Sequence, residues 1–276
     1  MTVCNPNRGE KMDVGISTAS FYPDALTEQS IPLIRDLGAK KIEVFLGSFS
    51  EYEEDYCSQL RDIIDENGLS VYSVHVLGTQ FEPQFFSLTE RQRNDSRNLY
   101  LKVFKCANIL GAKAYVFHGP PVRGSIKPNI DFKRIGPMCD ELAYLAGDQG
   151  LKFSWENVSW CWYSYPEFPD RLLEHTKSEN IFFTFDIKQA MQTGHDPMDF
   201  LDRMEKRLIN IHAIDYDDKK VLTLPGRGIF DFYRLAGKLR SINYDGPIFL
   251  EVYRGNYEEY SDLKESMSFL REIFES

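Results

Sequence analysis

Glu156, Asp186, His212 and Glu251 each stand at or near the downstream end of a short apolar run. Two further imidazoles, His75 and His118, and a fourth carboxylate, Glu43, are placed in the same way in runs of their own. These runs otherwise carry almost no ionisable groups. Burying an unpaired carboxylate is costly, so such a cluster calls for a compensating cation. Three carboxylates and one imidazole suit a single divalent ion with oxygen and nitrogen ligands. Mn²⁺, Mg²⁺, Co²⁺ and Zn²⁺ all accept such a set. His75 and His118 can add a second ion beside Glu156, or bind substrate instead. Taken singly, a carboxylate at a run's end is usually a surface residue, and an imidazole in an apolar run a core residue. The joint pattern is what points to a site. His175, late in a helical segment, and His195, in a loop segment, lie outside it.

The elements that must position these groups are legible as eight apolar runs: 14–18, 41–47, 69–76, 113–119, 151–158, 181–187, 208–215 and 247–252. Each is short, rich in β-branched or aromatic residues, and bounded by turn or helix formers. Continuous apolar runs are expected of parallel strands buried on both faces. Amphipathic segments alternate with them, several closed by a glycine such as Gly38, Gly68, Gly111 or Gly150. Eight strand–helix units predict an α/β fold of one domain, a (β/α)8 TIM barrel over 12–276 preceded by a polar tail at 1–11. An open dinucleotide-binding sheet should show G-x-G-x-x-G after its first strand, and none is present. In a barrel the active site lies at the C-terminal ends of the strands, where the seven ionisable residues fall.

Composition narrows the partners. The net charge of −10 and the lack of a Lys/Arg-rich block argue against nucleic acid. The five cysteines, at 4, 57, 106, 139 and 161, are odd in number and form no C-x-x-C. They predict no disulfide framework and suit a reducing, cytoplasmic compartment. No run is long and apolar enough to span a membrane. The polar start is not a signal peptide. A homo-oligomer is left open.

The segments SVH (73–75), VFHG (116–119), WEN (155–157), FDIKQA (185–190), NIHAID (210–215), PGRGIFDF (225–232) and FLEVY (249–253) make a combined pattern. Through it the chain resembles the xylose isomerase-like barrels, a superfamily that includes ketose 3-epimerases, hydroxypyruvate isomerases, inosose dehydratases and endonuclease IV. The resemblance covers nearly the whole chain from Met12. By position, Glu156, Asp186, His212 and Glu251 match that family's metal ligands. Three departures stand out. Gln189 occupies the place of a His usual in epimerases and endonuclease IV. Asp218 stands where ketose epimerases often have Arg. Lys220 and Leu222 replace an Asp-x-His pair of the nuclease, which speaks against a three-metal site.

The resemblance implies isomerase or epimerase chemistry on a keto-sugar, sugar phosphate or related polyol. The ion polarises a carbonyl, while Glu156 and Glu251 act as base and acid on opposite sides of the substrate. Asp186 and His212 then serve mainly as ligands. His118, Glu43, Lys188 and Gln189 are candidate contacts to substrate hydroxyls, Lys188 having a salt bridge to a rim acid as its other role. Among Trp155, Trp160 and Trp162, one ring can stack on a sugar, or all can cover the mouth. The loop PGRG (225–228) reads as structural, with Arg227 exposed. The alternatives are an endonuclease IV-like phosphodiesterase, an inosose-type dehydratase, and a sugar-binding barrel without turnover.

Overall fold

The computed structural model describes residues 12–122 and 129–276. The expected tail at 1–11 lies outside the described residues. Eight parallel strands form the barrel: β1 (Val14–Ser17), β2 (Lys41–Leu46), β3 (Ser70–Val76), β4 (Ala114–Phe117), β5 (Lys152–Glu156), β6 (Ile181–Asp186), β7 (Leu208–Ala213) and β8 (Ile248–Leu250). Neighbours in sequence pair in parallel, with register shifts at Ile42/Glu43 and Phe183/Thr184, and β8 returns to β1 to close the ring. β1, β4, β7 and β8 are buried along their whole length. This two-sided burial is why the runs read as continuously apolar rather than alternating.

Eight helices lie between or after the strands: α1 (Thr27–Asp36), α2 (Glu54–Glu66), α3 (Glu90–Ile109), α4 (Phe132–Asp148), α5 (Phe168–Leu173), α6 (Pro197–Met204), α7 (Phe232–Ser241) and α8 (Tyr260–Phe274). Asp131, Asp196 and Asp231 start α4, α6 and α7 by accepting hydrogen bonds from the main-chain N–H groups of Arg134, Met198 and Arg234. Each satisfies a donor that the first helical turn leaves free. Two short helical turns, Glu82–Phe85 and Ile187–Gln192, and a small antiparallel pair, Asp215–Tyr216 with Leu222–Thr223, decorate the C-terminal rim. None of these three was expected from the apolar periodicity.

Alternate residues of a strand share a face, so the lumen fills in layers. One layer holds Glu43, Ser73, Ser154, Thr184 and Asn210, knitted by hydrogen bonds from Ser73 to Glu43, between Ser154 and Thr184, and from Asn210 to Glu43. Two residues further along β3, β5, β6 and β7 come His75, Glu156, Asp186 and His212. The polar groups of the second layer therefore rest on a polar first layer.

The cysteines correct one expectation. Cys57 on α2 and Cys106 on α3 form a disulfide, with Cα atoms 5.5 Å apart and a sequence separation of 49. Both lie on the buried stripes of helices that pack side by side. An odd count and a long spacing hide a pair that only the barrel order brings together. The argument for a reducing compartment loses its support with it. Among the described residues, no helix is long and apolar enough to cross a membrane.

Candidate metal centre and active site

His212 is the centre of the cluster. Its Nδ1 lies 2.7 Å from Glu251 Oε2, 3.5 Å from Glu156 Oε1 and 3.8 Å from Asp186 Oδ2. On the other side of the ring, Nε2 sits 3.1 Å from Glu43 Oε2. Donation of an Nε2 proton to Glu43 leaves the Nδ1 lone pair facing three carboxylates, the arrangement by which a buried carboxylate orients a metal-binding imidazole. Nδ1 nevertheless has no hydrogen-bond partner. Ligand atoms of Glu156, Asp186, His212 and Glu251 all lie within 4.8 Å of one another. A buried nitrogen without a hydrogen bond, aimed among acidic oxygens, fits a divalent ion.

The electrostatics agree. Burial pulls the His212 pKa down, but the charges of Glu251, Glu43 and Glu156 more than reverse it, and it stands well above the usual value. Burial alone would raise Glu251, yet His212 holds it well below the carboxylate range. Glu156 is likewise lowered, against its burial, by His118 and His212. A proton on His212 is the smallest cation that satisfies these carboxylates, and a divalent ion satisfies more of them.

Two local devices fix the ligands. Asp186 divides its oxygens: Oδ1 accepts from the Gln189 main-chain N–H at 2.8 Å, starting the turn Ile187–Gln192, while Oδ2 faces His212. Asn157 ties the ends of β5 and β6 by a reciprocal pair, accepting from Asp186 N at 2.8 Å and donating to Asp186 O at 2.9 Å. The spacing between Glu156 and Asp186 is thereby set by main-chain contacts.

His75 and His118 also join the cluster, their Nε2 atoms 2.7 Å apart. His118 Nε2 lies 3.1 Å from Glu156 Oε2, and His75 Nδ1 lies 3.6 Å from Glu251 Oε1. His75, His118 and Glu156 also satisfy the spacing of a three-ligand site.

Glu43, a candidate substrate contact from sequence, is bonded within the protein. It is fully buried in the layer beneath the mouth, and one oxygen is engaged by Ser73, Asn210 and His212. It stands in the middle of β2, two residues before Phe45 on the same face, and groups with His75 and Glu251. Glu43→Gln is expected to weaken divalent-ion binding about 10–100-fold, the usual cost of losing an outer-shell partner. A fluorescence or calorimetric titration with Mn²⁺ measures this, and an unchanged affinity would remove Glu43 from the orienting role.

Gln189 is equally committed. Its Oε1 accepts from both the N–H and the hydroxyl of Ser159, fastening the loop after β5 to the turn after β6. The Lys188 ammonium lies 3.5 Å from Asp186 Oδ2 and donates to the Tyr253 hydroxyl at 3.1 Å. Burial would lower its pKa, but Asp186 and Glu251 raise it. The rim-acid pairing open to it from sequence is thus present. Of the departures, Asp218 and Lys220 are exposed at the tip of the small antiparallel pair.

Two structural carboxylates escaped the sequence reading. Asp215 accepts from the N–H groups of Gly226, Gly228 and Phe230, which holds the PGRG loop against the barrel. Gly226 has φ +88°, and a Cβ on Gly228 would stand 2.3 Å from Asp215 Oδ1, so both positions need glycine. Arg227 between them faces outward to Asp262 and Glu265. Glu82 is buried after β3, accepting from the Tyr115 hydroxyl at 2.5 Å and from the N–H groups of His118 and Gly119. It holds the turn that presents His118. Glu82→Ala strands three buried donors, and at about 1–3 kcal/mol for each unsatisfied group the expected loss is on the order of 3 kcal/mol. Urea denaturation reads this out, and an unchanged midpoint would show the turn to be held by other means.

Comparison with known proteins gives a consistent picture. A family model for xylose isomerase-like TIM barrels matches residues 31–273. An uncharacterized protein of Methanocaldococcus jannaschii is 25% identical, covering 96% of this chain and 90% of its own length. An inosose dehydratase of Clostridium perfringens is 22% identical over 60% of this chain and 66% of its own. Among solved structures, a D-tagatose 3-epimerase-like protein superposes with a TM-score of 0.76 at 22% identity, covering 95% of this chain and 99% of that one.

Proposed function

We propose that this chain, which belongs to the xylose isomerase-like TIM-barrel family, is a divalent-metal-dependent isomerase or epimerase of a keto-sugar or related polyol. The observation that carries the reading is the division of labour at Glu156 and Glu251. Each places one oxygen toward His212 Nδ1 and the other toward a second histidine, His118 and His75 respectively. Glu156, Asp186, His212 and Glu251 would hold one ion, which supplies Lewis-acid polarisation of the substrate carbonyl. Glu156 and Glu251 come from β5 and β8, with β6 and β7 between them, so they flank the substrate from two sides. Both are held ionised, which readies one to take a proton from the carbon beside the carbonyl and the other, once protonated, to return one. Delivery to the opposite face of the same carbon is epimerisation, and delivery to the neighbouring carbon is isomerisation. The contacts Glu156–His118–His75–Glu251 connect the two carboxylates through two imidazoles, a path by which the proton gained by one can be restored to the other.

Charge favours a neutral substrate. Among the described residues, Glu43, Glu156, Asp186 and Glu251 oppose the ammonium of Lys188, leaving a surplus of three negative charges when the imidazoles are neutral. One divalent ion reduces that surplus to one, which disfavours a phosphate at the reacting end. Two ions would reverse the sign. The cluster of His75, His118 and Glu156 is the specific observation behind that second reading, a metal-assisted phosphodiesterase. Dehydration of an inosose-type ring uses the same ligands and is the lyase variant of the first. The reading further takes the carbohydrate as a small soluble partner, without nucleic acid.

Elemental analysis of the purified protein tests this, beside Glu156→Gln and His75→Ala and together with an assay of keto-sugars and inososes in D₂O. About one ion per chain, kept in His75→Ala, with deuterium entering next to the carbonyl, is the expected result. About two zinc ions, one of them lost in His75→Ala, would favour hydrolysis. No ion under any loading condition would sink both readings.

A further inference from the structure

Five rings run in unbroken contact along one side of the site: Tyr22, Phe45, His75, His118 and Trp160. Their centroids are 6.3 Å apart for Tyr22 and Phe45, 5.5 Å for Phe45 and His75, 4.5 Å for His75 and His118, and 6.0 Å for His118 and Trp160. All four contacts are edge-on. The middle of the arc belongs to the cluster, whereas the two ends are open, with Tyr22 63% and Trp160 42% exposed. The carboxylates and Lys188 complete the cluster. The arc of rings continues past the two histidines on both sides, while the Lys188 ammonium lies over a separate ring, that of Tyr253, 4.7 Å from its centroid.

The three tryptophans in and after β5 separate by role. Trp155 is fully buried, its N–H directed at the His118 carbonyl, and Trp162 packs on Phe86. Trp155 is closed to a ligand, and Trp162 is half-buried against Phe86. Trp160 lies beside His118 on a fixed backbone. Its carbonyl accepts from Val122 N–H at 2.8 Å, and the next residues pair through the Pro121–Cys161 bridge and the Trp162 N–H to Pro120 carbonyl bond. A large, partly exposed indole held this way is a preorganised face, since little freedom is lost when a ring settles on it. A sugar presents a C–H face to such a ring and its hydroxyls to the sides.

We propose that Trp160 forms a subsite for a second ring, so that the substrate is a glycoside: a keto-sugar bearing an uncharged aryl or glycosyl group, the reacting ring at the cluster and the appended ring on the indole. Trp160 is chosen over Tyr22 because it abuts His118 directly, while Phe45 stands between Tyr22 and the histidines. Beside Trp160, Ser159 bonds to the uncharged side chains of Gln189 and Gln192, so the described surroundings favour a neutral appended group. The identity of the reacting ring rests on the reading above, but the subsite itself does not.

Equilibrium binding of methyl β-D-glucopyranoside and p-nitrophenyl β-D-glucopyranoside to the metal-loaded and metal-stripped protein tests the subsite without requiring turnover. The nitrophenyl compound is expected to bind about tenfold more tightly, the scale of one aromatic stacking contact, and to quench tryptophan emission. Trp160→Ala should bring its affinity down to that of the methyl compound, and Trp160→Phe should keep part of the preference. Equal affinity of the two compounds for the unaltered protein, a preference that survives Trp160→Ala, or no binding of either would overturn the proposal. A Trp160-dependent preference in a protein that takes up no ion would leave the subsite standing and remove the metal-dependent reading. Metal-dependent turnover of free keto-sugars without any such preference would do the reverse.

Discussion

Glu156→Gln is expected to lose ion and reaction together. The carboxamide keeps the volume of the side chain, so the packing at the end of β5 survives. It removes the charge that His118 and His212 face at 3.1 and 3.5 Å. It also removes a proton acceptor whose contribution as a general base is typically about 10²–10⁴-fold. Loss of a ligand adds to that, and turnover should fall by at least about 10³-fold, with ion content falling in parallel. Glu251→Gln should behave alike, since it occupies the corresponding place across the ring. Comparing kcat and ion content of the two variants at saturating Mn²⁺ is decisive. Full turnover by either variant would show that the proton is handled elsewhere.

Stripping the ion should cost the fold heavily, and the cost should depend on pH in one direction. An ion present at about 10³ times its dissociation constant stabilises by about 4 kcal/mol, which for a chain of this size is on the order of 10 °C in Tm. In the stripped protein the raised pKa of His212 means that the folded state holds a proton the unfolded state has released. That contribution is fully present below the ordinary value of 6.5 and is lost as pH rises through the folded pKa. Glu251 acts in the opposite sense. Its lowered pKa stabilises above the ordinary value of 4.5, and that contribution is lost as pH falls through its folded value. The ion competes with the proton on His212, so the loaded protein gains as the stripped one weakens. The difference in Tm between the two forms should therefore widen from pH 6.5 upward. A gap that narrows over that range would exclude competition at His212.

The strands were legible because a barrel strand is buried on both faces, and the apolar runs end within a residue or two of the observed ends. His118 and Glu251 lie one residue beyond β4 and β8, yet they reach the same rim, since the first residue after a strand still follows its pleat. Depth was not read as well. Glu43 and Phe45 share a face of β2, and counting in twos along that strand assigns the deeper place to Glu43. Glu82 left no periodic trace. It sits in a segment with Phe81, Phe85 and Phe86, and its burial comes from meeting the turn after β4, which is far away in sequence. Asn157 was visible within WEN, but its bonds to Asp186 require β5 and β6 to be neighbours. The Cys57–Cys106 pair needed the same kind of knowledge about α2 and α3. What the chain's local pattern encodes is which residues arrive at the rim. How they brace one another is written in contacts across the ring.

The reciprocal pairing of Asn157 with the main chain of Asp186 bears on which changes in chain length this fold can absorb. One residue added or lost inside β5 or β6 would turn the following side chains to the opposite face, breaking that pairing and sending a carboxylate outward among the helices. The same alteration between Asp217 and Val221, where the small antiparallel pair turns at the surface, displaces no member of the ring. Length variation should thus be confined to the connecting segments, and the barrel acts as a ruler whose graduations are the strand ends.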